Sequence, residues 1–248
     1  MLKISKYIKN IISYIVIMSE VQTFINKFKN FQNFKIDEIN KVQFITISVS
    51  KSDNTNPLVI IPPYSFDGFA KIMTTIDNNF NIIKKKYNII YVIYWGDEIK
   101  KKSIEISTIL NKNCQNITNN DEKYKINEKF RITLANTANK IINKYKITSF
   151  TLLGKSAGGG ISIHIAKKNK QVMFLFLVCP AISTIVKLNK KIKIILSWNR
   201  DDDKIPYEES LPLINNYIKN KNDFNFLSYE TGGHELHEDF FKTNILYE

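Results

Sequence analysis

Short apolar runs alternate with longer amphipathic stretches along most of this chain. Leu58-Val-Ile-Ile61 and Asn88-Ile-Ile-Tyr-Val-Ile-Tyr94 are the continuous kind that suits strands covered on both faces. Lys41 to Val49 instead alternates in part, as an antiparallel edge strand does. Further apolar runs follow at Phe150 to Leu153, Val172 to Val178, Lys193 to Trp198 and Phe224 to Tyr229. Helical spacing fills the intervals, notably Phe69 to Lys86 and Asp121 to Tyr145. Strands alternating with helices predict an α/β domain: a mostly parallel central sheet flanked by helices on both faces, joined by right-handed crossovers.

The N-terminus reads differently. Lys3, Lys6 and Lys9 precede the apolar run Ile11 to Met18 in the order of a signal peptide, but the run is too short to span a bilayer and no small-x-small site follows it. Ser19-Glu20 opens a polar stretch in which Val21, Phe24, Ile25 and Phe28 recur at helical spacing. The pattern divides the chain into an N-terminal helical extension over residues 1–40 and one domain over 41–248. The extension either packs on the domain or lies weakly on a membrane surface through residues 1–18. A signal peptide and a true start at Met18 are the other readings of this segment.

Composition adds bounds. A length of 248 residues suffices for one well-buried domain, and no Pro/Gly/Ser-rich linker divides it. The formal charge of +13 would suggest an anionic partner. Arginine, however, occurs only at Arg131 and Arg200, and the lysines are scattered among abundant Asn and Ile, the signature of an AT-rich coding sequence. A phosphate-gripping surface would cluster arginine forks, so no nucleic-acid partner is expected. Cys114 and Cys179 lie in dissimilar settings and form no disulfide framework, which favours a reducing, cytoplasmic location. Asn116-Ile-Thr118 would be a glycosylation sequon only in a secreted chain.

The chemistry concentrates at Phe150-Thr-Leu-Leu-Gly154-Lys-Ser156-Ala-Gly158, where a strand meets a helix through a glycine-bracketed serine. A serine on so tight a turn is exposed for attack only if its neighbours are small. The Ala157 amide, at the positive end of the following helix, is placed to meet a developing oxyanion. Gly154-Lys155-Ser156 also resembles the tail of a phosphate-binding P-loop. That motif requires a glycine at position 149, where this chain has Ser149, and strand residues run up to the turn. Two later strands end in candidate partners: Asn199-Arg-Asp-Asp-Asp-Lys-Ile-Pro206 after one, Glu230-Thr-Gly-Gly-His234 after the other. His164 falls inside the helix after the serine and reads as a packed residue.

The order Ser, Asp, His on successive strand ends resembles the α/β-hydrolase superfamily from about Val42 onward. The resemblance implies the α/β-hydrolase fold and a serine hydrolase of the esterase, thioesterase or lipase kind, needing no cofactor or metal. It selects Asp202 over Asp201 and Asp203, because the family's acid is usually followed at this distance by a proline, here Pro206. It selects His234, after Gly232-Gly233 and before a last helix, over His237 within that helix. Asp201 and Asp203 are then solvated charges. Ser156 is the nucleophile, His234 the base, Asp202 its orienting acid, and Ala157 one oxyanion donor. The second donor is expected after Ile61, where many members carry His-Gly. Here Pro62 and Pro63 have no amide hydrogen, leaving Tyr64, or else Ser65. The short interval from Cys179 to Lys191 leaves no room for a cap domain, which implies an open site for a small ester, thioester or acyl-group substrate. A serine peptidase or lipase of the same fold, and a catalytically idle member acting as a binding protein, remain alternatives.

Overall fold

In the computed structural model, the described residues are 20–31, 33–39, 42–49, 56–96, 99, 101, 102, 105, 120–182 and 185–242, with 120–126 described by backbone alone. The readings made on residues 1–18, Cys114 and Asn116 lie outside them.

Eight strands form one sheet: β1 (Phe34–Ile39), β2 (Val42–Ser48), β3 (Leu58–Ile61), β4 (Ile89–Tyr94), β5 (Phe150–Lys155), β6 (Val172–Val178), β7 (Lys193–Asn199) and β8 (Asp223–Tyr229). Their spatial order is β1-β2-β4-β3-β5-β6-β7-β8. The pairs from β4 to β8 are parallel, while β1 and β2 run antiparallel at one end. Besides a helical turn at 20–25, the helices among the described residues are α1 (Phe66–Asn78), α2 (Phe80–Lys86), α3 (Asn120–Lys144), α4 (Ala157–Lys168) and α5 (Ser210–Lys219). The order in which strands are added reverses at β3: the connection through α1 and α2 leads outward to β4, and that through α4 leads from β5 to β6 on the other side. Right-handed crossovers in opposite directions put these helices on opposite faces. Helices α3 and α4 pack together on one of those faces. Such a reversal opens a crevice at the carboxyl ends of β3 and β5.

Burial follows the strand patterns. Every residue of β3 and β5 is buried, as continuous apolar runs require, whereas the outer strands β1 and β8 alternate with solvent. The partly alternating Val42–Ser48 is not the sheet edge, because Phe34–Ile39 pairs outside it. That strand falls within the stretch whose pattern reads as helical; helix is found there at 20–25. The described part of this segment packs on the domain, with Val21, Ile25 and Phe31 fully buried. Phe24 packs edge-on against Phe66 and lies 5.9 Å from Phe69, which stacks on Tyr94 at 4.6 Å.

Two helical expectations are corrected. Asn79 divides the single helix expected over 69–86: its side chain donates to the Thr75 carbonyl at 2.9 Å, and the chain restarts at Phe80. Asparagine competes in this way with the backbone ladder it sits in. After His234 the described residues form turns and one 3-10 turn (Phe240–Lys242) instead of a last helix containing His237. There the His237 ring accepts from the Asp239 amide at 3.2 Å, and i to i−3 bonds tighten the chain. The alternation still buries Leu236, Phe240 and Phe241.

The Phe69 ring joins the 20–31 segment, α1 and β4. We expect Phe69→Ala to lower the unfolding free energy by about 3–5 kcal/mol, measured by urea denaturation with no change in the slope of the transition.

Candidate active site

Ser156 sits between β5 and α4 with φ 54° and ψ −122°, a region L-residues rarely adopt. Its backbone is fixed from several sides. The Ser156 amide donates to the Val178 carbonyl at 2.9 Å, and its own carbonyl accepts from Ala181 at 2.8 Å and from Gly159 and Gly160. Strain of about 1–3 kcal/mol persists only where surroundings determine the conformation this fully.

The glycines permit the turn by close approach. A Cβ on Gly158 would overlap the Ile61 carbonyl and stand 2.7 Å from the Pro62 carbonyl oxygen. One on Gly154 would collide with the Ser162 hydroxyl and lie 2.8 Å from the Gly159 Cα. The start of α4 therefore lies directly against the end of β3, which brings the turn at Ser156 beside the loop that begins at Pro62. As the first residue of α4, Ala157 has an amide with no intrahelical acceptor.

That loop is short and braced. Ser65 caps α1, its hydroxyl accepting from Gly68 at 3.1 Å. The Tyr64 side chain is buried, hydrogen-bonded to Arg131 and edge-on to Phe130. Burial pushes its phenol up to about 12, with Arg131 partly opposing. Arg131 also feels Glu128, which meets the His164 Nε2 at 2.8 Å. His164 is packed, as its helical position implies, but it is also one end of a polar chain leading to the proline loop. The Tyr64 amide has no acceptor among the described residues.

The loops after β7 and β8 lock together. The His234 Nδ1 lies 2.8 Å and 3.0 Å from the two oxygens of Asp202. The Asp202 side chain is wholly removed from solvent, and its Oδ1 also accepts from the Lys204 and Ile205 amides, each at 2.9 Å. Burial alone would raise this carboxyl. Hydrogen bonds from Ile205, His234, Lys204 and the Cys179 thiol outweigh it and hold the group below the ordinary value. Of the three consecutive aspartates, only Asp202 faces the imidazole. Asp203 is exposed and paired with Lys204. Asp201 is not simply solvated, because its carboxylate accepts from the Gly233 amide at 2.7 Å and the Gly232 amide at 3.1 Å. Asn199 donates to the carbonyls of Gly233 and Glu235, at 2.8 Å and 2.9 Å, on either side of the histidine. The sequence signal for both was weak: polar residues beside a chosen acid look alike until the glycine turn is folded against them.

Lys155 was hidden in the serine motif. It is 2% exposed and pairs with Glu235 at 2.8 Å. Cys179, at the end of β6, is buried with a thiol pushed well up, chiefly by burial and then by Asp202. The thiol, a carboxylate oxygen and an imidazole nitrogen of Cys179, Asp202 and His234 lie within 4.8 Å of one another, a spacing a metal ion could use. The carboxylate there is already engaged by two amides and Nδ1, so the cluster is built as a hydrogen-bonding one.

No protein-family profile matches the chain, and no curated protein does. Solved structures match it at low identity. A protein described as a CIB-like hydrolase, from Thermoplasma acidophilum, is 15% identical with a TM-score of 0.56, over 85% of this chain and 92% of its own. An α/β hydrolase from the sediment metagenome of the Mar Chica lagoon, Morocco, is 13% identical with a TM-score of 0.52, over 86% and 95%. A serine hydrolase from Cycloclasticus zankles is 10% identical with a TM-score of 0.50, over 82% and 92%. The strand order, the turn at Ser156 and these likenesses agree: this chain has the α/β-hydrolase fold.

Proposed function

We propose that the protein is a serine hydrolase that cleaves carboxylic esters or thioesters through an acyl-enzyme. The observation that carries this reading is the Asp202–His234 pair at 2.8 Å, held at the same sheet edge as a serine in left-handed backbone. A serine hydrolase among the structurally similar proteins adds to it.

In this reading the Ser156 Oγ attacks the carbonyl carbon while the His234 Nε2 takes its proton. The tetrahedral oxyanion accepts from the Ala157 and Tyr64 amides. The imidazolium then protonates the leaving alcohol or thiol. Water enters, gives its proton to His234, attacks the acyl carbon and releases the acid with Ser156 restored. Asp202, facing Nδ1, fixes the tautomer that leaves Nε2 free as base. The Pro62-Pro63 loop, whose prolines carry no amide hydrogen, is what supports the idle-member alternative, and the same experiment decides between them.

Purified protein treated with a fluorophosphonate probe is expected to label at Ser156, and Ser156→Ala to abolish both labelling and p-nitrophenyl ester hydrolysis. Unlabelled wild-type protein would establish the idle reading, and activity rising with acyl length would shift the substrate toward lipids. Asp202→Asn cannot accept from Nδ1–H and should lower kcat by about four orders of magnitude with the fold retained.

The same carboxyl gives a pH signature. It titrates below 3.8 in the folded chain, so its stabilisation is complete above the unfolded value and is lost as pH falls through the lower folded one. The stability difference between wild type and Asp202→Asn should therefore shrink as pH falls below about 4, measured by urea melts at each pH.

A further inference from the structure

Between the two glycines of the serine turn, Lys155 points to the face opposite α4. Gly154 faces Ser162 and Gly159 of α4, and successive strand residues alternate. A leucine or methionine would fill such a site at no cost in desolvated charge. The chain instead keeps an ammonium that is 2% exposed, with its acidic partner on the residue after His234. Glu235 divides its carboxylate: Oε2 meets the Lys155 Nζ at 2.8 Å and Oε1 the Lys71 Nζ at 3.1 Å. Lys71 lies on α1 and also reaches Asp67 at 3.3 Å. One carboxylate thus joins three pieces of chain: the strand that presents Ser156, the helix that follows the proline loop, and the loop that carries His234.

We infer that Glu235 is a positioning residue, whose pairing with the buried Lys155 holds the His234 loop against the nucleophile strand and neutralises that cation. The inference rests on the serine-hydrolase reading above. It also adds a second fastening to those from Asn199 and Asp201, which hold the same loop from the β7 side. The Lys155 cation is close enough to be felt at Cys179, the residue that donates to Asp202, so its neutralisation matters at the pair itself.

The charges around the imidazole make the inference testable. Asp202 touches the ring, Asp201 binds the two amides before it, and Cys179 lies behind Asp202. Glu235 follows it, opposed by Lys155 and Lys71, with Asp67 beyond. On the loop's far side are His237, stacked on Tyr229, and the Arg200–Glu230 pair. Removing Glu235 leaves Lys155 buried and unpaired, whereas removing Lys155 leaves Glu235 still paired with Lys71. The two single substitutions therefore act with opposite sign on an imidazolium and with unequal severity on the fold.

The experiment uses full-length wild type, Glu235→Gln, Lys155→Met and the double variant. The rate of fluorophosphonate labelling at Ser156 is followed against pH, and backbone hydrogen exchange of residues 230–236 is followed at one pH. In Glu235→Gln the acid-side midpoint should fall by about half a pH unit, and in Lys155→Met rise by a similar amount. The optimum rate in Glu235→Gln should drop about ten- to a hundredfold, and the double variant, relieved of the unpaired ammonium but still without the pair, should recover part of it and stay below wild type. Exchange should be fastest in Glu235→Gln, slower in the double variant and slowest in wild type. Midpoints that stay fixed, or move in the same direction in both single variants, overturn the inference while leaving a labelled wild type as a hydrolase. An unlabelled wild type overturns the hydrolase reading instead, and exchange then decides: rates in Glu235→Gln no faster than in wild type show that the pair does not hold the loop.

Discussion

Everything at this sheet edge depends on how near α4 comes to β3. With no side chain at Gly158, the helix can rest on the carbonyl of Ile61, and its first turn lies beside the proline loop. Add the bonds from Val178, Ala181, Gly159 and Gly160, and the backbone of Ser156 is left with one conformation, an unfavourable one. The strain at the serine is thus a by-product of a packing contact between two of the most buried elements in the chain. It is sustained by the parallel strands and by no local preference of serine.

The imidazole is held by a different logic. Its position is built from side chains of the preceding strand's loop: Asn199 on the carbonyls, Asp201 on the amides and Asp202 on the ring. Strand β8, which delivers the histidine, is the outermost of the parallel strands and half solvated. Fastening the loop to β7 makes the ring's orientation depend on a buried strand in place of an edge strand.

What the chain disclosed beforehand divides along the same line. Continuous apolar runs announced β3 to β7, and the proline after Asp202 and the glycines before His234 pointed to two residues that do meet, at 2.8 Å, while the motif around Ser156 marked the strained turn between β5 and α4. Backbone geometry forces those residue types, so they leave a mark in sequence. The edge strand β1 left little, because a half-solvated strand such as Phe34-Lys-Ile-Asp-Glu-Ile39 shares its polar and apolar mix with a surface helix. Asn79 and His237 broke helices through side-chain bonds to nearby backbone, which compete with the ladder by small margins. Asp201, Asn199 and Lys155 were illegible for another reason: their roles are defined by partners more than thirty residues away.

Arg131 has a consequence of its own. It is one of two arginines in the chain, and where Arg200 is exposed on a surface ion pair, Arg131 is buried. Arg131 is buried with Tyr64 on one side, Glu128 on another and the backbone of Gly160 against its stem. A planar donor can serve several directions at once from a confined space, and a lysine, with a single tetrahedral head, cannot. The loop beside the serine turn is therefore backed by a group chosen by its shape as much as by its charge.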